Sequence, residues 1–536
     1  MNLKMTRLYV AVCIICYLLI SLHDIGKPGP YYDELLFVNG ARHDSPDNTM
    51  QIAKVGRIPV MLIPYIGALK AYLYYPVFRI FGIDLWTIRT PVILITALSL
   101  LLIFLLLRKI FSPGFALVTL TILAFDPSLI YMTRLDYGPN ALELFLKCLS
   151  AFFFYRYFLE GKSLASLAWG LFCLALGIFN KLNFIWYANS LFALTFLFKF
   201  SAIKTAVLQR DFRALRPYLM IVTAFFVFVL WLLTINKLYG VLNSFSSGSA
   251  SYSMDLKLSA LRKIPVGTNY LDVLYGEPET QWTRMQLILY LVVIFCAGLV
   301  QLFFPGNSFV KANRGKWIFL VLMILFHIVQ IFITREAVGA WHSFTIYPFF
   351  PILLVCSVLS IGSLFSVPAE GKLISLVLIA GILAYNGNTI SRYFRMFGTR
   401  TARMQFSEKA TDLVKITKAH KGNCVSIDWG LHNILIAGDG KKGKYTELTP
   451  FFMQDPMPDQ KEWIKSAIIE DTMTLFITHP PGKELIPDVT RRFDAFTDSL
   501  GFQKTAGKMI NDGENDVYLL YKLKRKIVSD SSERFK

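Results

Sequence analysis

The sequence predicts a polytopic α-helical membrane protein with a small α/β domain at its C-terminal end, and three observations predict it. Of 536 residues, 54% are hydrophobic and 17% charged, against roughly 25% charged in an ordinary soluble chain. The apolar residues gather into runs long enough to cross a bilayer, which takes about 20 residues as a helix. The charge is also unevenly placed: residues 389–536 hold 24 Lys and Arg with 19 Asp and Glu, 29% of that stretch, while the first 388 hold 31 and 17, or 12%. A simple soluble enzyme is excluded. The net charge of +19 fits the basic cytoplasmic loops of a membrane protein better than nucleic-acid binding.

Spans are expected near 6–22, 89–107, 113–131, 140–159, 163–179, 182–199, 216–235, 284–304, 316–334, 342–365 and 371–386, about eleven in all. An odd number puts the two ends on opposite sides, so every even-numbered gap must carry the basic clusters. Those gaps hold Arg108 with Lys109, Arg156 with Lys162, the group Lys199, Lys204, Arg210, Arg213 and Arg216, then Lys311, Arg314 and Lys316, and finally Lys372. The N-terminus is therefore expected in the cytoplasm and the tail on the far side: periplasm or exterior in a bacterium, lumen in a eukaryote. Lys4 and Arg7 before the apolar run also suit a signal peptide, but no small-residue cleavage site follows, which favours an uncleaved first span.

The expected organisation is a membrane domain over 1–388, with external loops 23–88 and 236–283, and an extracytoplasmic α/β domain over 389–536. In the first loop, the tyrosine-rich stretch Ile58 to Phe81 is apolar but broken by Pro64, Lys70, Pro76 and Arg79, which reads as a helix lying in the interface. In the tail, helical periodicity over 404–419, 459–470 and 488–500 alternates with strand-like runs at Cys424–Asp428, Met473–Thr478 and Asp516–Tyr521. Six of the seven cysteines lie in apolar stretches and only Cys424 in the tail, so no disulfide framework or metal pair follows.

Chemistry is sought on the outer side. Tyr31-Tyr32-Asp33-Glu34 follows the first span by about ten residues. Paired carboxylates beside a bilayer suit general-base work, because a like charge and partial desolvation raise one pKa; a solvated loop is the alternative. The second outer loop runs Met132-Thr-Arg134-Leu-Asp136-Tyr137-Gly-Pro-Asn140, with Asp136 placed to cap the next helix, to serve a site, or both. Lys181 sits in a short outer turn; Arg335-Glu336 and Trp341-His342-Ser-Phe-Thr-Ile-Tyr347-Pro348 come later. Such cations either anchor helices at the interface or hold the phosphate of a lipid.

Other signals are weaker. Gly438-Asp-Gly-Lys-Lys-Gly443-Lys444 has phosphate-loop spacing, but Tyr445 stands where Ser or Thr should follow, so it reads as a basic turn between strands. His43-Asp44 with Asp47 resembles a metal cluster but reads as loop. Glu143 and Lys147 lie four apart in a span, either paired and snorkelling or lining a cavity, and His327 reads as a helix-packing residue.

The order of an Asp-Glu pair in the first external loop, interfacial helices after it, Arg-x-Asp in the second external loop and a late His-(x)4-Tyr-Pro segment resembles the membrane C-type (GT-C) glycosyltransferases. The group it is most similar to is glycosyltransferase family 39, which includes protein O-mannosyltransferases and lipid A aminoarabinose transferases. The resemblance covers residues 6–240 well and 316–365 loosely. It implies the GT-C fold and an inverting transfer of one sugar from a polyprenyl-phosphate donor to a hydroxyl on lipid A, polysaccharide or protein. In that setting, Asp33 is the expected base, Glu34 its neighbour and Asp136 a support of the cavity. Arg134, Lys181, Arg335 and His342 are phosphate candidates, with Tyr32 and Tyr347 as further substrate contacts.

A lipid-phosphate leaving group needs cations rather than a proton donor, so no cofactor is expected and a divalent metal is not indicated. The expected partners are the lipid donor, an acceptor and the bilayer, not nucleic acid; the expected location is a bacterial inner (plasma) membrane. The rival classes are a lipid-linked sugar flippase, which should place polar groups and broken helices near the midplane, and a membrane polysaccharide polymerase.

Overall fold

The computed structural model describes residues 3–42, 53–56, 58–136, 138–239, 254–334, 337, 339–365, 367–439, 443–513 and 515–526. Helix dominates because a backbone in hydrocarbon must satisfy its own N–H and C=O groups. Every expected span falls on helix: Leu3–Leu22, Leu85–Ile110, Pro113–Ala124 with Pro127–Arg134, Asn140–Phe158, Leu164–Asn180, Ile185–Leu208, Phe212–Tyr239, Gln281–Phe303, Ser308–Ile333, Ala340–Ile346 with Phe349–Gly362, and Pro368–Thr399. By length and composition seven described helices qualify as spans, or nine when each bent pair counts once. The difference from eleven lies in two helices: Asn140–Phe158 carries Glu143, Lys147 and Arg156, and Leu164–Asn180 has only 17 residues. The chain is a multi-pass integral membrane protein.

The two bent pairs have one cause. The first turns by 58° and the second by 45°, at Asp126-Pro127 and Tyr347-Pro348, where proline has no N–H to continue the helix. Asp126 restarts its half by accepting from the Leu129 amide at 2.8 Å.

The packing divides the chain into two units: residues 1–25, 63–73 and 86–398, and residues 26–62, 74–85 and 399–536. In the first, polar side chains tie the helices together where apolar contact with lipid offers no preference. Gln330 donates to the Trp186 carbonyl at 3.0 Å and the Ser190 hydroxyl at 3.1 Å, and accepts from Asn189 at 3.1 Å. His327 sits in the same network, 2.7 Å from the Met323 carbonyl and 3.5 Å from Ser190. Glu143 and Lys147 are both buried and 3.5 Å apart, with Lys147 donating to the Thr345 carbonyl at 2.9 Å. They pair inward and do not snorkel.

In the second unit a five-stranded mixed sheet runs in the order Tyr445–Glu447, Cys424–Ser426, Leu475–Thr478, Asn515–Tyr521, Lys508–Asp512. The first two pairings are parallel and the others antiparallel. Helices Pro458–Ile464 and Pro487–Ser499 come from this part of the chain, and Val425, Phe476, Val489, Phe493 and Tyr521 form its core. A helix at Leu431–Asp439 was not expected: it is short and follows its strand closely, so no period shows. The basic turn after Gly438 thus joins a helix to a strand and not two strands; residues 440–442 lie outside the described residues.

The stretch expected as one interfacial helix is a correction. Residues Ile58–Ile63 form a strand antiparallel to Ala53–Val55, pairing Val55 with Ile58 and Lys54 with Pro59, Ile66–Gly67 is extended too, and only Leu69–Phe81 is helical. Ile58-Pro-Val-Met-Leu-Ile63 is rich in β-branched residues and its burial roughly alternates, so period two outweighs the local apolar run.

Candidate active site

The Asp-Glu pair begins the helix Tyr32–Ala41. Glu34, at its third position, turns back and accepts from the Tyr31 amide at 2.9 Å, and it is buried. That is one half of a capping box. Asp33, at the second position, is half-buried, where the positive end of the helix favours a carboxylate. The two carboxylates therefore have different employment within one turn.

Neighbouring groups fix this helix within its own packing unit. Asn39 donates to the Asn433 carbonyl at 3.2 Å, and Asn433 donates to the Tyr32 carbonyl at 3.3 Å. Arg42 donates to the carbonyls of Ile436 and Ala437 at 2.6 and 2.8 Å, capping the end of Leu431–Asp439. Tyr32 is 1% exposed, and its hydroxyl lies 2.6 Å from His479 Nε2, while His479 Nδ1 lies 2.6 Å from Asp428. Asp428 also accepts from the amides of Trp429, Leu485 and Ile486. Burial opposes the charged form of Asp428, but His479 and these amides outweigh it and hold the carboxyl below its usual range. Burial pushes the Tyr32 hydroxyl well above its ordinary range. The residues missed from the sequence are Asp428, His479 and Asn433. The one available signal was a buried-type strand ending in an acid, Ile427-Asp428, with His479 directly after another strand.

In the helical unit, the second outer loop is built tightly. Asp136 is 1% exposed and meets Lys70 at 2.8 Å; its other oxygen accepts from the Ala141 amide at 2.9 Å, capping Asn140–Phe158. Its φ of +35° is left-handed, a conformation Asp tolerates better than most residues. Burial raises the Asp136 carboxyl, with Lys70 pulling the other way. Arg134 is fully buried and donates to the carbonyls of His23, at 2.7 Å, and Asp24, just past the end of the first helix, with its guanidinium 5.2 Å from the Phe397 ring. Lys181 is 2% exposed and bridges Ile66 through its backbone; a Cβ at Gly138 would stand 3.0 Å from its Nζ. The fields of Lys181 and Lys257 reach His342, whose Nδ1 is buried without a partner among the described residues. Lys257 itself caps Ser308–Ile333, donating to Thr334 O at 2.7 Å. Tyr347 donates to the Asp126 carboxylate at 3.0 and 3.1 Å.

Thus Lys181 and His342 come together, Arg134 is tied to the carbonyls of His23 and Asp24, Asp136 to Lys70 and the Ala141 amide, and Tyr32 and Tyr347 have their hydroxyls on His479 and Asp126. Arg335, Glu336, Tyr137, His43, Asp44 and Asp47 lie outside the described residues. Among the described residues no three His, Cys, Asp or Glu side chains gather as a metal site.

Residues 68–233 match the family model described as dolichyl-phosphate-mannose-protein mannosyltransferase. No curated protein sequence matches the chain. Among solved structures it is similar to the oligosaccharyltransferase of Archaeoglobus fulgidus in the apo form, at 11% identity and a TM-score of 0.50, over 89% of this chain and 70% of that one. It is also similar to that archaeal enzyme in complex with an inhibitory peptide and a dolichol-phosphate (9% identity, TM-score 0.49, 88% and 69% covered), and to ArnT of Cupriavidus metallidurans bound to undecaprenyl phosphate (12%, 0.42, 97% and 98%). The fold is GT-C, and the resemblance to GT-C glycosyltransferases read from the sequence holds.

Proposed function

We propose that this GT-C protein moves one sugar from a polyprenyl-phosphate carrier to a hydroxyl acceptor on the outer face of the membrane, inverting the anomeric centre. The observation that carries the reading is the division of labour at Asp33-Glu34: Glu34 is buried as a cap, and Asp33 is the half-buried carboxylate of the pair. The match of 68–233 to a family that uses a dolichyl-phosphate sugar supports the donor class.

Asp33 takes the proton of the acceptor hydroxyl as its oxygen attacks the anomeric carbon from the face opposite the carrier. The carbon–oxygen bond to the phosphate breaks, and the carrier leaves as the polyprenyl phosphate. Its developing charge needs cations and no proton donor. Lys181 takes that role, with His342 beside it as a neutral ring able to donate a hydrogen bond; Arg335 adds to it, and Arg134 and Asp136 hold the loop and the helix that follows. The step needs no metal. The N-terminus is cytoplasmic and residues 389–536 lie outside, as in a bacterial inner membrane; a reporter fused after Asn388 should be found outside the cytoplasm, and a cytoplasmic signal there would break this orientation.

The test is transfer or hydrolysis of radiolabelled polyprenyl-phosphate sugars by the purified protein, beside Asp33→Asn. Consumption of one donor, reduced about 100-fold or more in the variant as expected for a lost general base, supports the reading. Labelled lipid that crosses liposomes unconsumed would replace it with a flippase.

A further inference from the structure

We infer that His479, backed by Asp428, is a positioning residue for transfer: through the Tyr32 hydroxyl it fixes the first turn of the helix that carries Asp33. The inference rests on the reading of Asp33 as the base, and it gives residues 399–536 a part in the chemistry.

The chain of contacts is continuous and fully buried. Asp428 is an acceptor only, so the His479 Nδ1 at 2.6 Å carries the ring proton. His479 Nε2 meets the Tyr32 hydroxyl, also at 2.6 Å, and the hydroxyl can complete that bond as donor or acceptor. Three backbone amides on Asp428 lock the far end of the line. Buried networks with every member satisfied rigidify and favour one geometry.

The near end is fitted as closely. Gly430 lies against the Tyr32 ring with φ +82°, and a Cβ there would stand 2.0 Å from the ring carbon Cδ2. Tyr32 is thus gripped on its face by a glycine and at its tip by a histidine. Its neighbour in sequence is Asp33, one position along the same first turn. A general base acts over hydrogen-bond distances, so a shift of its helix by a fraction of an ångström reaches the reacting proton directly.

The relay has no role of its own in catalysis: nothing in it touches solvent, and a buried tyrosine hydroxyl held by a histidine has no path to substrate. Its signature is a loss of turnover without loss of donor binding.

The experiment compares full-length wild type with Tyr32→Phe, His479→Gln, Asp33→Asn and the His479→Gln/Asp33→Asn pair. Turnover of the polyprenyl-phosphate sugar that wild type uses is read beside retention of radiolabelled undecaprenyl phosphate and amide hydrogen exchange. Tyr32→Phe keeps the ring on Gly430 and removes only the hydroxyl, so it guards against loss of fold. Each relay variant should lower kcat about 10- to 100-fold, leave donor KM and lipid retention within about twofold, and speed exchange over 35–41 but not over 413–419. The pair should be no slower than Asp33→Asn alone. Turnover within about twofold of wild type, equal loss of lipid retention and turnover, or unchanged exchange over 35–41 would each overturn the inference. A wild type that consumes no donor would sink the transferase reading, while the exchange measurement would still decide whether the relay holds the helix.

Discussion

Two acidic turns, one in each packing unit, use the same ingredients for different ends. At 134–141, Asp136 is 1% exposed, paired with Lys70 at 2.8 Å and capping the next helix. At 31–34 the capping falls to Glu34, and Asp33 beside it is half-buried. A carboxylate that closes a helix and an ion pair at once is occupied on both oxygens, and moving it costs the fold. A carboxylate whose neighbour does the capping is not the group that closes the helix. The paired acids of the first loop are therefore one capping group and one half-buried group, the second being the proposed base.

That contrast can be broken most directly by exchanging losses. Asp33→Asn should cost turnover about 100-fold or more with little change in the unfolding midpoint, and a midpoint drop matching that of an Asp136 variant would erase the distinction. Lys70→Met should do the reverse: it strands a buried carboxylate, worth about 3–5 kcal/mol, visible in thermal unfolding, with Lys70→Met/Asp136→Asn recovering part of it. A third change sharpens the picture of the first turn. Gly430→Ala puts a Cβ into the Tyr32 ring at a left-handed φ, so about 1–3 kcal/mol should vanish, with exchange over 35–41 rising more than elsewhere. Glu34→Ala should cost only about 1 kcal/mol, the price of a cap, and a far larger activity than stability loss would move Glu34 into the chemistry.

The smallest effect is in pH. Asp428 is held below its usual range, so its folded value is depressed relative to the unfolded one. Its contribution to stability is full above about pH 4, the ordinary value for the unfolded chain, and is lost as pH falls through the depressed folded value. Unfolding midpoints of wild type and Asp428→Asn should therefore converge on acidification below about pH 4. Parallel curves would show that Asp428 does not charge differently in the fold.

Sequence alone made the helices legible, because an apolar run in lipid has one way to satisfy its backbone. It also singles out the Asp-Glu pair and Asp136 as candidates, whose neighbours in sequence carry the signal. What it could not reach were contacts without sequence proximity. The strand Ile58–Ile63 reads locally as part of an apolar helix, because its partner Ala53–Val55 decides its period. The helix Leu431–Asp439 was invisible because it is short, and Tyr32 meets His479 at a separation of 447 positions. Nor does the sequence show that Arg134, a candidate cation for the lipid phosphate, donates to the carbonyls of His23 and Asp24.

That separation of 447 positions sets an order of events during synthesis. The helix Tyr32–Ala41 is made almost first, yet the side chains that grip Tyr32 are made nearly last, after every expected span. Until His479 has been made, the chain can insert its helices but has nothing to close on Tyr32. A ribosome-bound intermediate is in this sense a helix without its clasp, and the last fifth or so of the polypeptide supplies it.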